Sequence, residues 1–317
     1  PEEPWLYPYS LEYGEDRVLG YFALRKCDVQ LADDGYPRLF LNNHPYFQSG
    51  ILDQGYWPDG LYTAPSDEAL IYDIQTMKNL GFNMIRKHVK VETARWYYHC
   101  DRLGMIVWQD MVNGGTYNAP FMTWLPALFP KFKLHTSDQI HPLFGRKNVH
   151  GREEFIRECK ETVTALKAFP CISTWVIFNE GWGQFDSKKL TSLFRELDDT
   201  RLIDSASGWF DRRQGDFKSE HNYFAKQFVI PSDRAFVISE YGGYTCQVKG
   251  HTCSGKTYGY KICSSPEEFQ AAYYKLMSEE IEPLKEQGLC GAVYTQLSDI
   301  EDEINGLMTY DREVCKL

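Results

Sequence analysis

A chain of 317 residues can hold one large α/β barrel or two ordinary domains. Its 43% apolar and 25% charged residues are ordinary for a globular protein, and its net charge of −10 argues against nucleic acid or an anionic membrane as main partner, because both need a basic face. No apolar run approaches the ~18 residues of a membrane-spanning helix, and Pro1-Glu2-Glu3-Pro4 lacks the charged-then-apolar pattern of a leader.

From about residue 36 short apolar runs alternate with helical patterns, as repeated βα units on a parallel sheet do. Arg38–Leu41 reads as the first strand. A helix follows from about Ser66, with Leu70, Ile71, Ile74 and Met77 on one face and Asp67 and Glu68 in its first turn. Asn83–Arg86 and Met105–Trp108 read as strands two and three, with a helix over Glu92–Leu103 between them. A Pro- and aromatic-rich loop then runs from about Met111 to Val149, a length that usually marks function or disorder. A helix over about Arg152–Lys167 leads to strand four, Ser173–Phe178, and another helix spans Ser187–Leu197. Leu202–Asp204, Glu220–Tyr223, Ala235–Ile238 and Gly291–Tyr294 complete eight strands. Before the last, Ser265-Pro266-Glu267-Glu268 is a strong helix start, with Ser265 as N-cap and Glu268 closing a capping box. Eight strands with intervening helices predict a (β/α)₈ barrel, and the absence of a Gly-rich dinucleotide fingerprint after strand one argues against an open doubly wound sheet.

Two carboxylates stand out. Glu180 ends strand four in Trp175-Val176-Ile177-Phe178-Asn179-Glu180-Gly181-Trp182, and Glu240 ends strand seven in Phe236-Val237-Ile238-Ser239-Glu240-Tyr241-Gly242. Barrel enzymes build their sites at the C-terminal strand ends. A lone Glu after a strand is more often solvated or capping. A pair on strands that face each other across the mouth can flank one glycosidic bond, as acid/base and nucleophile.

Asn179–Gln184 resembles the acid/base motif of glycoside hydrolase family 2, and Ser239–Gly243 its nucleophile motif. Gly81–His88 and Leu103–Asp110 are similar to its second and third strand segments. The likeness covers roughly residues 29–317. It implies a retaining two-step β-glycosidase with a carbohydrate substrate, β-galactoside first, and β-mannosidase or exo-β-glucosaminidase as alternatives. It implies no cofactor and no metal for the chemistry. It also implies that Arg86 orients Glu240, that Asn179 binds the sugar 2-hydroxyl, and that His88 at the end of its motif contacts substrate. His221 and Tyr223 would line the pocket, Tyr223 bonding the nucleophile, although a lone His is more often a core residue. Trp108 and Asp110 end strand three, and Asp53 and Trp57 lie in the polar, aromatic stretch Gly50–Gly60; all four are candidate sugar contacts, the last two as readily parts of a packed turn. Trp182 and Trp209 are candidate stacking platforms.

The chain departs from the family in places. After strand eight, where relatives often carry a tryptophan, stands Tyr294–Glu303, whose acidity would favour a cationic aminosugar but more often marks a solvated loop, and no Asn-x-Lys pair of the kind associated with glucuronide recognition follows the nucleophile strand. Tyr7–Lys26 resembles the end of the immunoglobulin-like domain that precedes the barrel in this family, so residues 1–28 are read as its remnant and 29–317 as the barrel. The missing N-terminal sandwich domains, or a second copy of the chain, are then candidate partners. Nine cysteines, an odd number with no Cys-x-x-Cys pair, suggest buried free thiols and a reducing, cytoplasmic setting. The irregular spacing of Cys246, Cys253 and Cys263, without paired histidines nearby, does not suggest a metal site. The competing functional class is a non-catalytic carbohydrate-binding barrel; a metal-dependent lyase would need ligands at several strand ends, and no such pattern is present.

Overall fold

The computed structural model describes residues 1–124, 126, 137–253, 255–256 and 258–317. Two small antiparallel sheets come first. β1 (Tyr7–Tyr13) and β2 (Asp16–Phe22) form a hairpin whose turn sets Gly14 at φ 62°. Alternation puts Tyr7, Tyr9, Leu11 and Tyr13 on one face with Val18 and Phe22 across from them, and all six side chains are exposed. From the other face the Tyr21 hydroxyl donates to Asp101 at 2.7 Å. β3 (Cys27–Leu31), β4 (Pro37–Leu41) and β5 (His44–Pro45) make the second sheet.

The barrel strands are β6 (Gln48–Asp53), β7 (Met84–Lys87), β8 (Ile106–Asp110), β9 (Ile172–Val176), β10 (Leu202–Asp204), β11 (Phe217–Asn222), β12 (Ala235–Gly242) and, after the short pair β13 (Tyr244–Cys246) and β14 (Lys261–Cys263), β15 (Leu289–Thr295). They pair in parallel in the order β10-β9-β8-β7-β6-β15-β12-β11. The seam between β10 and β11 has no continuous ladder. It is closed by Ser219 Oγ donating to Asp204 at 2.5 Å and by Asp216, whose carboxylate accepts from the Ile203 amide at 2.7 Å.

The first strand differs from the sequence expectation. Arg38–Leu41 is β4, part of the three-stranded sheet laid across the N-terminal end of the barrel. Leu39 is buried there with Cys27, Val29, Leu41 and Tyr46 against the barrel's interior residues, among them Leu52, Met84, Trp108, Phe217, Val237 and Val293. An apolar run of five residues fits a floor strand as well as a barrel strand, so periodicity could not separate them.

Helices α1 (Asp67–Asn79), α2 (Ala94–Leu103), α3 (Val149–Leu166) and α4 (Ser187–Leu197) follow β6, β7, β8 and β9; α5 (Pro266–Leu276), a π-helical turn (Met277–Ile281) and α6 (Glu282–Lys285) follow β12. Ser66 and Ser265 cap α1 and α5 as the sequence predicts, each accepting from an amide three residues on. No helix follows β10, β11 or β15 among the described residues. After β15 the chain folds back as loops: Arg312 reaches Asp73 of α1 at 3.2 Å and lies over the Trp57 ring at 4.2 Å, and Lys316 pairs with Asp299 at 2.7 Å, both fully buried. Of the long loop after β8, Pro120–Trp124 forms a π-helical turn, and residues 127–136 lie outside the described residues.

Candidate active site

The chain leaves β9 into a tight turn. Asn179 bridges to Ser207, the Glu180 amide donates to Ser207 O at 3.0 Å, and the Trp182 amide donates to Asn179 O at 3.0 Å. Glu180 itself sits at φ 52°, the left-handed region that a side chain with a Cβ rarely occupies. Gly181 follows at φ 72°, and a Cβ there would lie 2.3 Å from the Phe210 ring, so the position requires glycine.

Glu240 is aimed by a different device. Along β12, Ala235 and Val237 face the barrel interior, while Phe236 and Ile238 face the helices. Strict alternation would send Glu240 outward after an inward Ser239. The β11–β12 register instead skips a residue: Glu220 pairs with Ile238, and His221 with Glu240. This bulge turns both Ser239 and Glu240 inward and returns Tyr241 to the outer layer.

The two carboxylates therefore meet. Glu180, His221 and Glu240 each present an atom within 4.8 Å of the others. Arg86, fully buried, binds them into a web using all five N–H donors. Nε and Nη2 grip Asp110 at 2.9 Å each, Nη1 donates to Glu240 Oε1 and to Ser239 O at 3.0 Å, and Nη2 also donates to Asn179 Oδ1 at 2.7 Å. Because a donor holds that oxygen, the Asn179 amide must turn its NH₂ the other way. The Tyr223 hydroxyl donates to Glu240 Oε2 and lies 3.1 Å from Thr295 Oγ1. His88 Nδ1 is 2.9 Å from Asp110 Oδ2. Both Glu240 oxygens thus carry donors, one of them already cationic.

Burial pushes the Glu180 carboxyl up to about 7, against the opposing pull of His88 and Arg86. Burial also raises Asp110, but Arg86 and His88 more than offset it and hold that carboxyl below the usual range. If Glu180 supplies a proton, activity must fall as pH rises through about 7, where the acid form is lost. The basic limb of a kcat/KM profile measures this; a flat profile through neutrality would mean another group donates.

Of five further candidates for sugar contact, one stands exposed at the mouth and four are buried. Trp182 stands 37% exposed at the mouth, edge-on to Tyr117. Trp209 is buried; its indole N–H donates to His221 O at 3.3 Å, so it braces His221. Trp108 does not reach the mouth: it fills the barrel interior, bonded to Gln48 at 2.6 Å and packed on Phe217. Asp53 points out of the barrel, because its neighbour Leu52 points in. There it is buried against Lys87, which also meets Glu92 at 3.2 Å and lies over Trp96. Trp57 is buried beneath Arg312. Asp53 is the last residue of β6 rather than a loop residue, and Trp57, in the loop after β6, packs under the C-terminal segment. The structure adds residues the sequence did not name as site residues, Glu303 among them from the acidic stretch after strand eight. Ser207 links the Glu180 turn to His221, Thr295 backs Tyr223, Tyr260 stacks on Tyr223 at 3.9 Å, and Glu303 is held beside the mouth by Gln54 and Gln296 at 2.9 and 3.0 Å. A strand-end rule would have found Thr295; Tyr260 and Glu303 lie in irregular loops with no periodicity to read.

Comparison with known proteins identifies the barrel's family. A β-galactosidase of Priestia megaterium (strain DSM 319 / IMG 1521) is 24% identical over 213 residues, 61% of this chain and 17% of that protein. A β-D-glucuronidase from Dictyoglomus thermophilum superposes with a TM-score of 0.72 at 15% identity, covering 99% of this chain and 56% of that one. A family 2 β-galacturonidase from Eisenbergiella tayi, bound to galacturonate, superposes with a TM-score of 0.69 at 16% identity over 98% of this chain and 56% of its own. The chain thus spans little more than half of these solved structures and under a fifth of the curated relative, and at such identities the superpositions speak for the fold. The model of the glycosyl hydrolases family 2 TIM barrel domain matches residues 62–313, the stretch that carries both carboxylates, and the chain therefore belongs to glycoside hydrolase family 2.

Proposed function

We propose that this barrel hydrolyses terminal β-glycosides with retention, Glu180 acting as acid/base and Glu240 as nucleophile. The observation that carries the reading is the pair itself: two carboxylate oxygens within 4.8 Å, in unlike surroundings. Glu180 is pushed by burial to about 7 and holds a proton near neutrality, while Glu240 has an arginine on one oxygen and a tyrosine hydroxyl on the other. Retaining enzymes hold their carboxyls about 5–5.5 Å apart; inverting enzymes need about 6.5–9.5 Å to admit a water.

In the first step a Glu240 oxygen bonds to the anomeric carbon as the glycosidic C–O bond breaks, and the Glu180 proton passes to the leaving oxygen. In the second, Glu180, now a carboxylate, takes a proton from water as the water oxygen displaces Glu240 from that carbon. The Asn179 NH₂ is placed to donate to the sugar 2-hydroxyl, a contact that strengthens as positive charge builds at the anomeric carbon.

For the sugar, a neutral glycoside, galactoside first, is favoured over a uronide. Glu303 stands partly buried beside the mouth, within the fields of His88 and Glu240, and would repel a sugar carboxylate. The relatives named for uronides are the alternative. A panel of nitrophenyl β-galactoside, mannoside, glucosaminide, glucuronide and galacturonide decides between them, with NMR of the first-formed anomer. The expected result is cleavage of a neutral glycoside with the β-anomer appearing first. The α-anomer first would sink retention, preferred cleavage of the uronides would overturn the sugar assignment, and no turnover on any member would favour a non-catalytic carbohydrate-binding barrel.

A further inference from the structure

His221 reaches both carboxylates. Its Nδ1 is 2.9 Å from Glu180 Oε1, and its Nε2 is 3.1 Å from Ser207 Oγ and 3.5 Å from Glu240 Oε1. The ring is fully buried and clamped. Gly208, at φ 85°, packs so closely that a Cβ would lie 2.5 Å from the imidazole, and the Trp209 indole stands edge-on to the ring while bonding its backbone carbonyl. The clamp fixes which nitrogen faces which carboxylate, but not which nitrogen carries the proton.

We infer that His221 is a positioning residue whose imidazole stays neutral with its proton on Nδ1, directed at Glu180 Oε1, so that the transferable proton of Glu180 is confined to Oε2. This rests on the retaining reading above. The hydrogen-bond arithmetic favours this tautomer over the other. With the proton on Nδ1, Oε1 accepts in both states of the cycle: as a carbonyl oxygen while Glu180 is acid, and more strongly once Glu180 is a carboxylate. Nε2 then accepts from the Ser207 hydroxyl 3.1 Å away, which requires that hydroxyl to turn its single proton from Ser239 Oγ, the acceptor it otherwise meets at 2.8 Å, to the imidazole. Glu240, at 3.5 Å, is beyond a good N–H···O bond and is served by Arg86 and Tyr223 instead. With the proton on Nε2, the Nδ1 lone pair would draw the acid proton of Glu180 onto Oε1, away from the sugar, and would face a bare carboxylate after that proton was given up.

The charged groups around the ring are Glu180 beyond β9, Glu240 on β12, Arg86 and His88 from β7, and Asp110 from β8. Burial, the largest influence, holds the imidazole neutral, its pKa falling to about 3 despite the opposing charge of Glu240.

Two measurements test the inference. In the intact protein, nitrogen NMR of labelled histidine reports the tautomer directly, with the His221 signal assigned by its loss in His221→Asn. The expected result is a protonated Nδ1 that does not titrate between about pH 5 and 8, the window in which an ordinary histidine changes charge. A protonated Nε2, or a titrating ring, overturns the proposal whether or not any glycoside is cleaved. The kinetic arm compares two folded amide variants. Asparagine can place an N–H where Nδ1 stands; glutamine reaches only toward the Nε2 position. His221→Asn should keep most of the activity on an alkyl glycoside, while His221→Gln loses roughly 10- to 100-fold, part of the 10²–10⁴ that acid–base assistance supplies. The Gln variant should also move the basic limb of kcat/KM to higher pH, because a donor to the carboxylate form is gone. Its loss should shrink on a dinitrophenyl glycoside, which leaves without a proton. Equal losses in both variants, on both leaving groups, with the limb unmoved, would reduce His221 to packing.

Discussion

Glu240→Ala is expected to lose turnover on every β-glycoside, whereas in Glu180→Ala the glycosylation step is lost only as far as the leaving group needs a proton. Removing Glu240 removes the atom that bonds to the anomeric carbon, and no substrate can compensate. Removing Glu180 takes away assistance of about 10²–10⁴-fold, which an alkyl glycoside needs and a dinitrophenyl glycoside does not. On the activated substrate glycosylation should therefore survive, while deglycosylation slows for want of a base, so the glycosyl–Glu240 ester should accumulate and be visible by mass spectrometry. Azide needs no deprotonation. It should rescue Glu180→Ala and yield the β-glycosyl azide. Rescue of Glu240→Ala to that β product instead would exchange the two roles, and a variant pair as active as the parent would place the chemistry elsewhere.

Arg86→Met should cost both activity and stability, by a larger amount than any surface change. The guanidinium is fully buried and satisfies Asp110, Glu240, Asn179 and a backbone carbonyl together. Methionine fills much of the volume but leaves Glu240 without a cation and Asp110 with His88 alone, and breaking a buried pair in this way typically costs near 3–5 kcal/mol. The pH dependence has a definite sign. In the parent, Asp110 is held below its usual range, so its share of stability is present above the unfolded carboxylate pKa of about 4 and is lost as pH falls through the lowered folded value. In the variant only His88 still opposes burial, the folded pKa rises, and stability is recovered on acidification. Denaturant unfolding at about pH 5 and pH 8 should show the smaller deficit at the lower pH. A deficit below about 1 kcal/mol at both would mean that the web is ornamental to the fold. Reduced kcat with stability intact would confine Arg86 to Glu240.

Much of this site is legible in the sequence, for a physical reason. Strands that end in a carboxylate and then glycine must turn sharply at the barrel mouth, so Glu180 and Glu240 can be placed from pattern alone, and Leu202–Asp204 and Ser187–Leu197 are found at their observed limits. What pattern could not supply is phase. At β12 the inward face changes by one residue at the bulge, and a strict two-residue period would have pointed Glu240 at the helices. At β6 the error ran the other way. With the floor strand β4 taken for the first barrel strand, Asp53 and Trp57 were read as loop residues over the sugar, whereas the alternation from Leu52 already directs Asp53 outward to Lys87. Trp108 shows a third limit. It faces inward as its parity requires, but parity does not give depth, and its ring lies below the mouth among Gln48 and Phe217. After β10, β11 and β15, where a regular βα alternation would set helices, loops and the returning C-terminal segment, pinned by Arg312 and Lys316, cover the barrel.

The turn beneath Glu180 has an evolutionary consequence. A side chain with a Cβ in the left-handed region is worse than glycine there by roughly 1–2 kcal/mol, a considerable fraction of the margin by which folded proteins persist. Random substitution at this codon thus runs downhill in folding energy toward glycine or asparagine, both of which tolerate the conformation and neither of which can donate a carboxyl proton. A glutamate can stay at φ 52° only while something other than stability selects for it, so a lineage that ceased to use this barrel for chemistry would be expected to lose residue 180 early and gain thermal tolerance as it did.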